Sequence, residues 1–211
     1  MSTVLEKILL TWPRSFLTDQ DLTTLIDHGN NTRRYDAVKY ALRKNELIHM
    51  RRGLYLIAPM YTDKQYDPFE IAQLIYGPSY ISFETALSFH GWIPEAVYTT
   101  TVATAKRSRN FETPKGLFRY LHVPKEGFYL NVNRIQKEDS SFLIAEPWKA
   151  IADMIFALPK NWESVKDLSL DLRVELETLE ESDKSSLKHI AENYKSKRVN
   201  KLLSKFAEEL D

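Results

Sequence analysis

Three features of the 211-residue sequence predict an α+β protein. The N-terminal part combines helical spacing with a short hairpin pattern, residues 96–123 alternate with a period of two, and residues 147–211 return to helical spacing. A polar, turn-rich stretch near residues 59–68 marks a domain boundary, so we expect domains at 1–60 and 61–211. The second domain should be α/β, with a mainly antiparallel sheet and a helical C-terminal end.

Three helices are predicted within the first 45 residues. The first spans residues 2–11 and ends at Trp12-Pro13, the second opens at Thr18 before an acidic first turn, and the third spans residues 32–45. The side chains expected to be buried recur at helical spacing; they are Leu22, Leu25 and Ile26 in the second helix and Tyr35, Val38, Ala41 and Leu42 in the third.

A basic hairpin is predicted directly after these helices. Residues 47–48 open one strand, residues 54–57 form the other, and Arg51, Arg52 and Gly53 make the turn. Glycine suits this position because it adopts positive φ without steric cost. Two arginines at a hairpin tip contribute little to folding, which indicates a ligand outside the chain.

Helix, polar turn, basic helix and hairpin, in this order, are typical of a winged helix-turn-helix, whose second helix enters the DNA major groove. There arginine pairs with guanine and Thr or Asn meets other base edges, while the hairpin contacts phosphates or the minor groove. The alternative is a solvated charged face on a surface helix. The candidate DNA-binding residues are Asn31, Thr32, Arg33, Arg34, Lys39, Tyr40, Arg51 and Arg52.

Charge is distributed unevenly along a chain whose formal net charge is zero. Residues 1–60 hold nine basic and six acidic side chains, whereas residues 161–211 hold nine and twelve, so the basic end is the end with the helix-turn-helix. The N-terminus lacks a secretory signal pattern, and no apolar run approaches the roughly 20 residues of a membrane span. With no cysteine in the chain, we expect a cytoplasmic protein without a membrane partner.

The elements expected after residue 61 follow from local spacing and turn residues. Ser82 should cap a helix that Gly91 ends, and residues 165–179 should form one longer helix. Val97, Thr99, Thr101 and Ala103 should share one face of an antiparallel sheet. Helices are expected near 69–75, 83–90, 147–156, 165–179, 183–194 and 199–210, and strands within 96–123 and near 134–138 and 141–144.

Catalytic and metal motifs are not found in the sequence. The five histidines lack metal-ligand spacing, and no nucleophile elbow or phosphate-binding loop occurs. A Mg²⁺-dependent nuclease with paired acids would place an acid two residues before Lys106, where Thr104 stands. We therefore expect no catalytic residue, no metal and no cofactor, and keep the nuclease as a lesser alternative.

A second basic patch is predicted between strands of the sheet. Its functional interpretation is another phosphate contact or a dock for a partner, and the plainer one is a solvated hairpin end. The patch comprises Lys106, Arg107, Arg109, Lys115 and Arg119.

Three stretches together resemble the AbiEi family, the antitoxins of type IV (AbiE-type) toxin–antitoxin systems. They are MRRGLY at residues 50–55, YISFETALSFHG at 80–91, and TAKRSR at 104–109 leading to TPKGLFRY at 113–120. The second is similar to the family pattern Y-x-S-x-x-(S/T)-A-L-x-x-H-G. The resemblance spans roughly residues 5–125, and beyond about residue 160 we recognise no motif of the family.

The resemblance implies an antitoxin, expected to be non-enzymatic, that represses its own operon by binding inverted repeats in double-stranded operator DNA. Paired binding on such a palindrome would raise affinity and would allow a homodimer on the DNA. Its functional partner would be a nucleotidyltransferase-like toxin, and the resemblance leaves direct binding open. His90 would be a packed, hydrogen-bonded group. The alternatives are a winged-helix regulator of a defence or accessory locus without antitoxin activity, and a protein-binding module from residue 61 onward.

Overall fold

The structure, a computed structural model, describes residues 12–26, 31–94 and 98–211, without the side chains of residues 31 and 33. The helix expected at 2–11 lies outside these ranges. The helices are α1 (Asp19–Ile26), α2 (Asn31–Arg43), α3 (Pro68–Ile75), α4 (Phe83–Phe89), α5 (Pro147–Ala157), α6 (Val165–Leu172), α7 (Leu176–Glu180), α8 (Lys184–Asn193) and α9 (Lys197–Leu210). The strands are β1 (Phe16–Thr18), β2 (Leu47–Arg51), β3 (Leu54–Ile57), β4 (Ser79–Ile81), β5 (Thr100–Thr104), β6 (Arg109–Thr113), β7 (Gly116–His122), β8 (Val132–Gln136) and β9 (Ser141–Ala145).

The strands form two sheets, and the fold is α+β as expected. A three-stranded antiparallel sheet has the order β1-β3-β2, and a six-stranded sheet has the order β6-β7-β5-β4-β9-β8. In the larger sheet three pairings are antiparallel, but β5–β7 and β4–β9 are parallel. The expectation of a purely antiparallel stretch at 96–123 was therefore wrong, because the β6–β7 hairpin places β7, not β6, beside β5.

The smaller sheet and helices α1 and α2 share a small core. The fully buried members are Leu17, Leu22, Val38, Ala41, Leu47 and Ile57. Tyr35, expected in this core, is 59% exposed, because the buried face of α2 centres on Val38 and Ala41. The sequence pattern did not predict β1, since three residues are too few to display a period of two.

The opposite face of the smaller sheet packs on the rest of the molecule. Phe16, Met50, Leu54 and Leu56 belong to the same buried cluster as the core of the larger sheet. The expected boundary region begins with a short 3₁₀ turn, Pro59–Tyr61, and leads into α3. The N-terminal unit is thus fixed against the remainder by apolar packing on the back of its sheet.

One local expectation in the second half was wrong. Residues 165–179 form two helices instead of one, because Arg173 takes a left-handed conformation at φ 53° and ends α6. Of the residues expected to share one face of the sheet, Thr101 and Ala103 lie two positions apart in β5 and do so, Thr99 precedes the strand, and Val97 lies outside the described residues. Within the described ranges, every helix is too short or too polar to span a bilayer.

Candidate nucleic-acid interface

Helix α1 begins at a capping box that fixes the start of the motif. Thr18 is the N-cap, as expected: its backbone N–H and hydroxyl donate to the Asp21 carboxylate at 2.8 and 2.7 Å, and its hydroxyl accepts from the Asp21 N–H at 3.2 Å. Burial alone would raise the pKa of Asp21, but these bonds and the Arg14 guanidinium, 2.6 Å away, hold it below its usual value.

Helix α2 carries most of the predicted DNA-reading residues. Residues 31 and 33 lie in its first turn, and the side chains of Thr32, Lys39 and Tyr40 are exposed. Tyr40 keeps 47% of its surface accessible, with the Lys44 ammonium 5.7 Å from its ring centroid. The exposed side of α2 therefore presents cations and an aromatic ring opposite the Val38–Ala41 face.

Arg34 differs from the other predicted residues, because it is held inside the N-terminal unit. Only 12% of its side chain is exposed. Its guanidinium donates to the Thr23 hydroxyl and lies 3.7 Å from the Asp19 carboxylate. Arg34 thus fastens α2 to α1, and this geometry favours a positioning role over a base contact.

The hairpin tip is anchored on α1. Gly53 has φ 77°, and its carbonyl accepts from the Asp19 N–H at 2.9 Å. A Cβ on Gly53 would lie 3.2 Å from the Asp19 Cβ, so the two backbones approach closely. Arg51 and Arg52 are exposed beside this contact. The tip is therefore held in a fixed position relative to α1 and α2.

Cations from two separate parts of the chain lie at the C-terminal end of α3. Arg51 donates to the Leu74 carbonyl at 3.2 Å, and the Lys106 ammonium donates to the Gly77 carbonyl. Cations are favourable at this end of a helix because its carbonyls lack intrahelical partners. Tyr76 lies between them, with its ring centroid 5.1 Å from the Lys106 ammonium. The hairpin and the strand ends of the larger sheet thereby share one basic surface.

The second predicted patch is divided between the two faces of the larger sheet. Arg109 pairs with Tyr120 in register and lies over Phe111, on the side that faces α3. Arg119 pairs with Asn110 and points to the opposite face. Arg107 is exposed in the β5–β6 turn, and Lys115 lies over Tyr66 at 5.3 Å. Strand alternation therefore directs Arg109 and Arg119 to opposite faces of the β6–β7 pair, and Lys106 lies with Arg51 at the end of α3.

The open face around Arg119 forms a groove of about 800 Å³. Leu117 and Leu121 flank Arg119 along β7, and Tyr98, 95% exposed, stands at the rim. Glu84 of α4 places an acid in the same groove, which Arg109 also lines. Both signs of charge are present, so this face is less suited than the hairpin side to a polyanion.

A buried ionic cluster joins β4, α5 and α8. It was not predicted from the sequence. The Asp153 carboxylate lies 2.7 Å from the Lys149 ammonium and accepts from the hydroxyls of Tyr80, Ser82 and Tyr194 at 2.8, 2.8 and 2.9 Å. Each of these side chains is at most 4% exposed. The feature of the sequence that could have revealed this cluster is a lysine and an aspartate four residues apart in an otherwise apolar helix.

This cluster is arranged for structure. Burial, and then the Asp153 charge, raise the pKa values of Tyr80 and Tyr194, which keeps both phenols protonated as donors. Ser82 is the N-cap position of α4, but its hydroxyl is used here instead of capping the helix. A fully buried group of this kind gives a substrate no access.

In the part of the chain that the structure describes, the positions considered for a metal ion or a nuclease site make hydrogen bonds within the protein. The described residues contain no group of three or more His, Asp or Glu placed to hold a metal. The Thr104 hydroxyl donates to the Pro78 carbonyl at 3.1 Å and accepts from the Lys106 N–H at 3.2 Å. The His90 Nε2 bonds the Ala145 carbonyl at 2.9 Å and must be the donor, which fits the packed role expected for it.

Comparison with known proteins provides a structural likeness. The sequence matches no protein-family model and no curated protein. The crystal structure of the RV2827C protein from Mycobacterium tuberculosis superposes with a TM-score of 0.56 at 15% sequence identity, over 96% of this chain and 80% of that one. At this identity the likeness concerns the α+β fold alone.

Proposed function

We propose that the N-terminal unit is a winged helix that binds double-stranded DNA, and that the protein is a non-enzymatic antitoxin and autorepressor in the cytoplasm. The observation that carries the DNA-binding part is the anchoring of the Arg51-Arg52-Gly53 tip on α1, beside the exposed side of α2. A winged helix needs its recognition helix and its wing held together in this way.

The residues divide by role in this proposal. Asn31, Thr32 and Arg33 read base edges from the first turn of α2, while Lys39 and Tyr40 contact phosphates. Arg52 contacts the backbone from the wing. Arg51 and Arg34 fix the wing and the helix pair, since both bond groups within the protein.

The antitoxin part is supported by the resemblance of residues 50–55, 80–91 and 104–120 to the AbiEi family. It implies binding to inverted repeats in the operon promoter and action against a nucleotidyltransferase-like toxin. Because the net charge is zero, affinity must come from a few placed cations and from paired binding on the repeat.

Mobility shift on the upstream DNA of the gene tests the DNA-binding part. Wild-type protein should shift this duplex and not a scrambled duplex of the same composition. A Lys39→Ala/Arg52→Ala variant should bind at least tenfold more weakly, whereas Lys166→Ala, an exposed control on α6, should bind as the wild type does. Unchanged binding by the double variant would refute the site assignment. Growth rescue on co-expression with the neighbouring gene tests the antitoxin part separately.

A further inference from the structure

A cavity of about 550 Å³ lies between the smaller sheet and the segment that leads into α3. Its apolar floor comes from Ile48 of β2 with Pro59 and Pro68, while Leu56 and Ile57 of β3 lie beneath and are nearly fully buried. Ser15, Thr62 and Gln65 add polar lining. Tyr66 and Lys115 close the other side. This volume lies within the range of small-molecule sites, which form preferentially where two parts of a protein meet.

Lys115 gives this cavity its chemical character. The residue is half-buried in the β6–β7 turn, where its N–H donates to the Thr113 hydroxyl at 3.1 Å. Its ammonium lies 5.3 Å from the Tyr66 ring centroid, and no carboxylate of the described residues lies within ion-pair distance of it. A partly desolvated cation without a counter-charge favours an anion beside it.

The other charged groups around the cavity leave this preference in place. Lys64 also lines it, with its ammonium bonded to the Pro13 carbonyl, and Asp63 is an exposed acid at the edge. Asp67, at the start of α3, is paired with Lys137 at 2.6 Å and is not available to Lys115. The cavity thus combines an apolar floor with one unpaired ammonium.

We propose that this cavity binds a small aromatic organic anion. The ring system lies on Ile48, Pro59 and Pro68, and the acid group pairs with the Lys115 ammonium beside the Tyr66 ring. The site is separate from the DNA-binding surface, and its occupancy does not depend on the proposed function. A bound ligand would contact the smaller sheet and the larger sheet's β6–β7 turn at once.

Fluorescence titration of the full chain with 8-anilinonaphthalene-1-sulfonate tests the proposal, with neutral N-phenyl-1-naphthylamine as the uncharged match. We expect saturable one-to-one binding of the sulfonate. Lys115→Gln should weaken it about tenfold and leave the neutral probe unchanged, and Ile48→Trp should weaken both probes by filling the floor. Lys125→Gln, an exposed lysine elsewhere, is the control.

Each other outcome overturns the proposal. Absence of saturable binding excludes the site, equal sulfonate binding by Lys115→Gln excludes the anion preference, and equal binding by Ile48→Trp places the probe elsewhere. Amide NMR shifts of the wild-type protein with sodium benzoate supply a measurement that needs no variant. They should concentrate at Tyr66, Lys115 and Gly116, and shifts confined to other regions contradict the assignment.

Discussion

The backbone N–H of Asp19 donates to the Gly53 carbonyl at 2.9 Å, which ties the first turn of α1 to the tip of the β2–β3 hairpin. The hairpin tip therefore cannot move independently of the helix pair. This one bond links the proposed wing to α1, the helix to which Arg34 fastens α2.

Gly53→Ala should destabilise the protein by about 2 kcal/mol, since the added methyl group must take positive φ and approach Asp19 to 3.2 Å. Gly91→Ala is the matched control, with φ 74° but no atom within 4 Å of the new Cβ, and should cost only about 1 kcal/mol. Urea unfolding measures both. Equal losses would mean that the close approach to Asp19 does not constrain the tip.

Asp153→Ala should cost about 3–5 kcal/mol in urea unfolding, because it leaves the buried Lys149 ammonium and three hydroxyls without their acceptor. Asp211→Ala removes an exposed ion pair with Lys188, which solvent screens, and should cost far less. A loss below about 1 kcal/mol for Asp153→Ala would contradict the structural role assigned to the cluster.

Because of Glu146, the free energy of unfolding should decrease as the pH is lowered into the acid range. Burial by itself would raise the pKa of Glu146, but hydrogen bonds from Asn131, Ser186 and Asn133, at 2.7 to 2.9 Å, outweigh it and lower the pKa. A depressed folded-state pKa contributes stability above the unfolded value of about 4.3, and that contribution is lost as pH falls through the folded-state pKa.

Urea unfolding of wild type and Glu146→Gln between pH 7 and pH 3 measures this effect. The wild type should be the more stable at pH 7, and the difference should shrink below about pH 4. A difference that stays constant over this range would show that the three hydrogen bonds do not favour the ionised carboxylate.

Because the second basic patch is divided between two faces of the sheet, its residues should differ in their effect on DNA binding. Lys106→Ala/Arg109→Ala should weaken binding to the upstream duplex, because both residues lie on the side that carries Arg51. Arg119→Ala should leave binding unchanged, since Arg119 points to the opposite face. Fluorescence anisotropy at fixed salt compares them, and a larger loss for Arg119→Ala would contradict the assignment of DNA to the hairpin side of the sheet.

The sequence predicted helices and strands better than it predicted contacts between side chains. Helix α2 and the hairpin were expected from spacing and turn residues, because both signals are local. The inward use of Arg34 could not be foreseen, since its partner Thr23 lies on another helix. The acceptor role of Asp153 likewise depends on Tyr80 and Tyr194, which lie 73 and 41 residues away in the chain.

The same limit applies to the second basic patch. Its five cations are close in sequence, but the alternation of β6 and β7 sends Arg109 and Arg119 to opposite faces. The position of Lys106 against the end of α3 depends on the order of strands in the sheet, which local spacing does not determine. Topology therefore decided which of the predicted residues act together.

The dependence of DNA affinity on salt tests the central claim most directly. For the upstream duplex, the logarithm of the association constant should fall linearly with the logarithm of salt concentration, and each lost phosphate contact should reduce the slope by about 0.9. Lys39→Ala/Arg52→Ala should therefore lower the slope by about two while the preference for this duplex over a scrambled one persists. A wild-type protein that binds both duplexes equally, or a variant with an unchanged slope, would contradict the proposal that α2 and the hairpin form a DNA-binding surface.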